Sequence, residues 1–158
     1  MDGKKRKTRP RERNNRTARG TNGPVRRSKL EDNVAGQLER AKVVYEYESE
    51  SCKINYLVPS SSHIYTCDFI LHTRTGKQIF IEAKGIWDYD DRYKHLLIRK
   101  QHPEIDIRFV FLRASNKIRK GSKTTYADIC NGLGRGMWKD NIWKYSDGGK
   151  VPKGWYDE

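Results

Sequence analysis

Apolar residues recur every four positions at Leu30, Val34 and Leu38, with Ala35 and Ala41 beside them, which predicts a helix with one apolar stripe. Ser28 and Glu31 form an S-x-x-E capping box that opens it. The period then falls to two: Val43, Tyr45 and Tyr47 alternate with Val44, Glu46 and Glu48, as in a strand. Residues 54–58 are a second short apolar run, and Pro59-Ser60-Ser61-Ser62-His63 reads as a turn or linker stiffened at its start. Tyr65 begins the next strand, which delivers Asp68-Phe69-Ile70-Leu71. Residues 72–76 have the polar, Gly-containing character of a hairpin loop, and residues 77–84 form the returning strand.

Gly85 to Tyr89 turns the chain, and Asp90 or Asp91 is expected to cap a helix that runs to Gln101 or His102 and ends at Pro103. Tyr93, Leu96, Leu97 and Ile98 supply its apolar side. Arg92, Lys94, His95, Arg99 and Lys100 make the rest basic, either as a solvated face or as a face that meets DNA. Residues 105–112 are the densest apolar run and predict a central strand. Strand, helix, strand in this order is a crossover unit, which implies parallel pairing of the Glu82 and Phe109 strands. A short helix is expected over 126–130. Residues 132–158 read as an irregular extension containing Trp138, Trp143 and Trp155, which would pack on the body or stack on bases.

Chemistry concentrates in the hairpin. Glu82 and Lys84 fall on one strand face and the hairpin brings Asp68 alongside, so two carboxylates and an ammonium project from an apolar sheet. Such acids are costly to bury unless a cation holds them. Oxygen ligands suit a hard ion such as Mg²⁺, with Asp68, Glu82 and the Ala83 carbonyl as ligands. One or two ions, the pair about 3.5–4 Å apart, would serve phosphodiester hydrolysis, with Lys84 orienting water or stabilising the pentavalent transition state. The bare pattern D-x(n)-E-x-K also fits an exposed strand with an ordinary Glu-Lys pair. Glu31 has two readings as well, a helix cap reaching back to Ser28 or a further acidic ligand. Gly121-Ser122-Lys123-Thr124 lacks the upstream Gly and the Gly-Lys step of a phosphate-binding loop.

Length of 158 residues suits one domain, and a net charge of +13 points to a polyanionic partner. The charge is uneven: residues 1–29 carry +10, leaving +3 for the other 129. Residues 1–27 hold almost no apolar side chains and are expected to be a disordered basic arm, following phosphates or merely solubilising. Lys4-Lys5-Arg6-Lys7 has the form of a nuclear-localisation patch. Cys52, Cys67 and Cys130 show neither disulfide nor zinc spacing, and no run suits a signal peptide or membrane span, so a soluble, cytoplasmic protein is expected.

Longer matches make the pattern specific. Ser28-x-Leu30-Glu31-Asp32, Tyr65-Thr66-x-Asp68-Phe69, Glu82-x-Lys84-Gly85-x-Trp87 and the run from Asp90-Asp91-Arg92 through His95-Leu96-Leu97-Ile98-Arg99 to Gln101-His102-Pro103-Glu104 resemble the junction-resolving endonuclease I of short-tailed bacteriophages. The likeness covers roughly residues 28–126. It implies an α/β, restriction-endonuclease-like PD-(D/E)xK mixed sheet flanked by helices, with a nuclease domain over 28–131. It implies cleavage of branched DNA, four-way (Holliday) junctions included, with Mg²⁺ and with Mn²⁺ substituting. It further implies an intertwined homodimer in which residues 28–58 are exchanged through a bridge at 59–63. By the same resemblance the catalytic set is Glu31, Asp68, Glu82 and Lys84, with Glu31 donated by the partner subunit as a further metal ligand. A location in the cytoplasm of an infected host follows. Two features depart from the family: Cys67 stands where it has Pro, and the Asp68–Glu82 hairpin is longer.

The remaining alternatives are a sequence- or lesion-directed nuclease on the same fold and a non-catalytic basic DNA-binding protein.

Overall fold

A computed structural model describes residues 26–58 and 61–158. The reading of residues 1–25 as an arm, and of positions 59 and 60 as part of a bridge, lies outside them. Arg26 and Arg27, placed in the arm, are described and belong to the body. Arg26 bonds Glu39 and Tyr45, and Arg27 pairs with Glu48.

The elements are α1 (Lys29–Arg40), β1 (Tyr45–Tyr47), β2 (Lys53–Val58), β3 (Ser61–Thr66), β4 (Phe69–His72), β5 (Gln78–Lys84), α2 (Tyr89–Gln101), β6 (Ile107–Phe111), α3 (Tyr126–Cys130), β7 (Asn131–Leu133), β8 (Lys139–Ile142) and β9 (Tyr145–Ser146). A mixed five-stranded sheet has the order β1-β4-β5-β6-β9, so β5 is its centre. β1, β4 and β5 pair antiparallel, whereas β5–β6 and β6–β9 are parallel. Glu82 lies opposite Phe109, the parallel pairing that the crossover predicts. β6 is buried along its whole length, as an interior strand between two covered faces requires.

One face is covered by α1. Its stripe, Val34, Ala35 and Leu38, meets Phe69, Leu71, Ile79 and Ile81, joined by Val151 and Trp155. Gln37 fixes the helix: its amide donates to the Gly149 carbonyl at 2.7 Å and its oxygen accepts from Val151 N–H at 2.9 Å. Gly149 has φ +66°, and a Cβ there would stand 2.8 Å from Leu30, so this close approach needs glycine. The other face carries α2 and α3 over a core centred on Trp87, Phe109 and Phe111.

Several details differ from the expectations. Asp88, not Asp90 or Asp91, caps α2, accepting from Asp91 N–H at 2.9 Å. β3 begins at Ser61 rather than Tyr65 and pairs with β2 throughout, Val58 opposite Ser61. Residues 132–158 are not irregular: β9 extends the main sheet, and Trp138, Trp143 and Trp155 are buried. A two-residue strand has too few positions to show a period, which is why it escapes a periodicity reading.

Candidate active site

Parallel β5 and β6 end at the same edge of the sheet, and antiparallel β4 starts there. Asp68, just before β4, and Glu82 and Lys84, at the end of β5, therefore meet. Asp68 accepts the Ala83 N–H at 2.7 Å, which ties the first acid to the residue between the other two. Lys84 Nζ lies 2.8 Å from Glu82 Oε1 and 3.1 Å from Asp91 Oδ2 on α2. Tyr65, on β3, donates its hydroxyl to Glu82 Oε2 at 2.5 Å. Glu82 is thus gripped on both oxygens and is 3% exposed.

Burial pushes the Asp68 carboxyl up to about 8, the Glu82 charge adds to the push, and the Ala83 N–H works against it. For Lys84 burial disfavours the charge, but Glu82 and Asp91 outweigh it and its pKa is raised. Asp91 is lowered, because Lys94 and Lys84 outweigh its own desolvation. The result is a desolvated edge with two crowded acids and an ammonium that stays charged.

Cys67 explains how Asp68 is held. Its N–H donates to the Cys52 carbonyl at 2.9 Å, a bond that proline at this position would forfeit, and the Asp68 carbonyl accepts from Glu48 N–H at 2.9 Å. Both flanks of the acid are therefore fixed by backbone bonds.

Glu31 is elsewhere. It sits at the start of α1, the helix on the other sheet face, where it accepts from Ser28 Oγ at 2.7 Å, Tyr47 hydroxyl at 2.6 Å and Arg27 N–H at 2.9 Å. It reaches back to Arg27 rather than to the Ser28 amide. Its charge is among those that raise Asp68. Of the basic residues on α2, Arg92 and His95 are not on the surface. Arg92 is 3% exposed and donates to the Trp87 carbonyl. His95 is fully buried between Tyr65, Trp87 and Phe109, and burial drops its pKa to about 4, so it is neutral. Neither can meet DNA directly. Lys94 pairs with Asp91, Arg99 lies over Trp143, and Lys100 is exposed. Tyr65 and Asp91 are the contributors that spacing misses: each touches the hairpin only through the register of another element against β5.

The phage endonuclease I family model matches residues 14–155. The chain belongs to the phage endonuclease I family. Endodeoxyribonuclease 1 of Enterobacteria phage T3 is 51% identical over 113 residues, which cover 72% of this chain and 70% of that protein. Endonuclease I of Escherichia phage T7 is 51% identical over 104 residues, 66% of each chain. All of Glu31, Asp68, Glu82 and Lys84 lie inside the family match.

A divalent ion fits the donors in kind. Asp68 and Glu82 are hard oxygen ligands, and the raised Asp68 pKa is that of an acid short of positive charge. Among the described residues no group of three or more His, Cys, Asp or Glu converges at metal-binding distance. No helix among the described residues is long and apolar enough to cross a membrane.

Proposed function

We propose that this member of the phage endonuclease I family, an endodeoxyribonuclease, resolves four-way junctions and other branched DNA by Mg²⁺-dependent phosphodiester hydrolysis, in recombining DNA of an infected bacterial cytoplasm. The convergence of Asp68, Glu82 and Lys84 at the edge of β5 carries this reading. The mixed sheet with helices on both faces is compatible with a PD-(D/E)xK nuclease.

A divalent ion on Asp68 and Glu82, with the Ala83 carbonyl and Glu31 as further donors, supplies charge neutralisation and an activated water when bound. The chain's own groups prepare the place. Tyr65 fixes the Glu82 carboxylate, and the Ala83 N–H fixes Asp68. Lys84, its charge favoured by Glu82 and Asp91, is placed as a donor to phosphoryl oxygen or water. The buried setting strengthens each of these contacts relative to water.

Pure protein with Mg²⁺ is expected to cut a four-way junction, to stop in EDTA, and to cut a matched linear duplex far more slowly. Equal cutting of the duplex would favour a sequence- or lesion-directed nuclease. DNA binding without any cutting would leave a DNA-binding protein whose acids are structural.

Two sites held in an intertwined homodimer would cut two strands of one junction in a single encounter. In such a dimer residues 28–58 of one subunit take the seat on β4 and β5 that α1 and β1 occupy here, and Glu31 acts in the partner's site. Mixing Glu31→Ala with Glu82→Ala protein under subunit exchange is then expected to restore one working site per heterodimer, read as nicking of a labelled junction. No nicking after confirmed exchange means that Glu31 does not act across the dimer.

A further inference from the structure

Between β6 and α3 runs a loop, residues 113–125, that contains Arg113, Lys117, Arg119, Lys120 and Lys123 and no acidic residue. All five cations are exposed. Elsewhere in the body some lysines find carboxylates, Lys53 with Glu50, Lys77 with Asp106, Lys94 with Asp91 and Lys144 with Glu158, and others such as Lys100 and Lys139 stand singly among the described residues. Among the described residues none of the five loop cations finds a carboxylate. Beyond residue 29 the chain is only +3, so with the loop's +5 set aside the remainder is −2. Beyond residue 29 this one segment thus outweighs the net charge of all the rest.

The loop is built, not loose. Ile118 N–H donates to the Thr124 carbonyl at 3.1 Å, Tyr126 N–H to Asn116 at 2.9 Å and Ala127 N–H to Ala114 at 3.0 Å, and Lys117 bridges Thr125. Ile118 packs against the main core. Both ends are tied to the segment that leaves the catalytic strand: Leu112 N–H donates to the Lys84 carbonyl at 3.0 Å, and Trp87 N–H to the Tyr126 hydroxyl at 3.0 Å. The loop is thereby anchored at the end of the strand that carries Lys84, and its five exposed cations, without a carboxylate partner among the described residues, suit a polyanion.

We infer that the 113–125 loop is a DNA-backbone contact surface that binds the phosphates flanking the scissile bond. This rests on the DNA-cleaving function proposed above. Such contacts position the duplex without reading bases and act by displacing counterions, so they are measurable as salt dependence.

The test compares wild-type full chain with Arg119→Gln/Lys120→Gln and with an equal-charge control, Lys42→Gln/Arg74→Gln. The control residues line a cleft at the opposite end of β4. Junction affinity is measured in EDTA between about 50 and 200 mM salt. For the loop variant the slope of log affinity against log salt is expected to become shallower by about 2, about 1 per phosphate contact, with weaker binding throughout. The control is expected to stay close to wild type. A second pair, Lys117→Gln/Lys123→Gln, is expected to repeat the loop result. Loop slopes equal to wild type, or reduced no more than the control, overturn the inference. Wild type that binds with the steep slope but cuts no junction in Mg²⁺ sinks junction resolution and leaves the loop contact standing. Wild type that binds no DNA overturns both.

Discussion

Asp68→Asn and Glu82→Gln are each expected to abolish cutting, and Asp68→Asn is also expected to make the metal-free protein more stable. Either change removes one of the two carboxylates proposed to hold the metal. The lost transition-state stabilisation, several kcal/mol, corresponds to a fall in rate on the order of 10³-fold or more. Junction affinity in EDTA is expected to hold or improve, since a negative charge is removed at the edge where phosphate would sit.

For Asp68→Asn stability moves the other way because burial, and next the Glu82 charge, outweigh the Ala83 N–H and Lys84 and hold the Asp68 carboxyl up. Its folded pKa, about 8, lies above the ordinary value of 3.8. Below about pH 4 folded and unfolded chains both hold the proton and the site costs nothing. Between there and pH 8 only the unfolded chain releases it, so metal-free stability falls as pH rises, by about 1.4 kcal/mol per unit at most. Above pH 8 the loss levels off. Asparagine keeps an acceptor for Ala83 N–H and removes the charge. Its melting temperature in EDTA is therefore expected to exceed wild type at pH 8 and to match it near pH 4. A variant that cuts at the wild-type rate would remove its residue from the site, and equal melting at pH 8 would show that Asp68 is not desolvated. Trading stability for a charged site is common where function needs the charge.

Trp87→Ala is expected to cost about 3–5 kcal/mol, the range for deleting a large buried aromatic, and to lower the melting temperature by roughly 10 °C. Trp87 has no exposed surface and lies 4.7 Å from the Phe109 ring centre, 5.3 Å from Phe111 and 6.0 Å from Trp143. Its backbone N–H holds Tyr126, and its carbonyl accepts from the buried Arg92. Trp87→Phe keeps most of this area and is expected to cost less than half as much. Urea unfolding followed by circular dichroism separates the two. A loss below about 1 kcal/mol for the alanine variant would mean that the core closes around the gap.

Much of this architecture is written in local spacing. The stripe Leu30, Val34, Leu38 and the S-x-x-E box announce α1. Alternation places Glu82 and Lys84 on one face, and strand-helix-strand order sets Glu82 beside Phe109. These features involve neighbours two to four residues apart, or a chirality common to all such crossovers, so a single sequence carries them.

What escapes depends on how distant segments meet. Arg92 and His95 read as a basic surface by composition, yet the turn of α2 that carries them faces Trp87 and the sheet, and only the helix's docking shows it. Asp91 joins Lys84, and Tyr65 joins Glu82, because α2 and β3 lie at particular registers against β5. Loop 113–125 looks like an ordinary solvated charge run until its two ends are found tied to Lys84 and Trp87. Residue types and periods mark which side chains are candidates for chemistry on phosphates. Long-range hydrogen bonds and packing, which no spacing encodes, select the few that share one edge of the sheet.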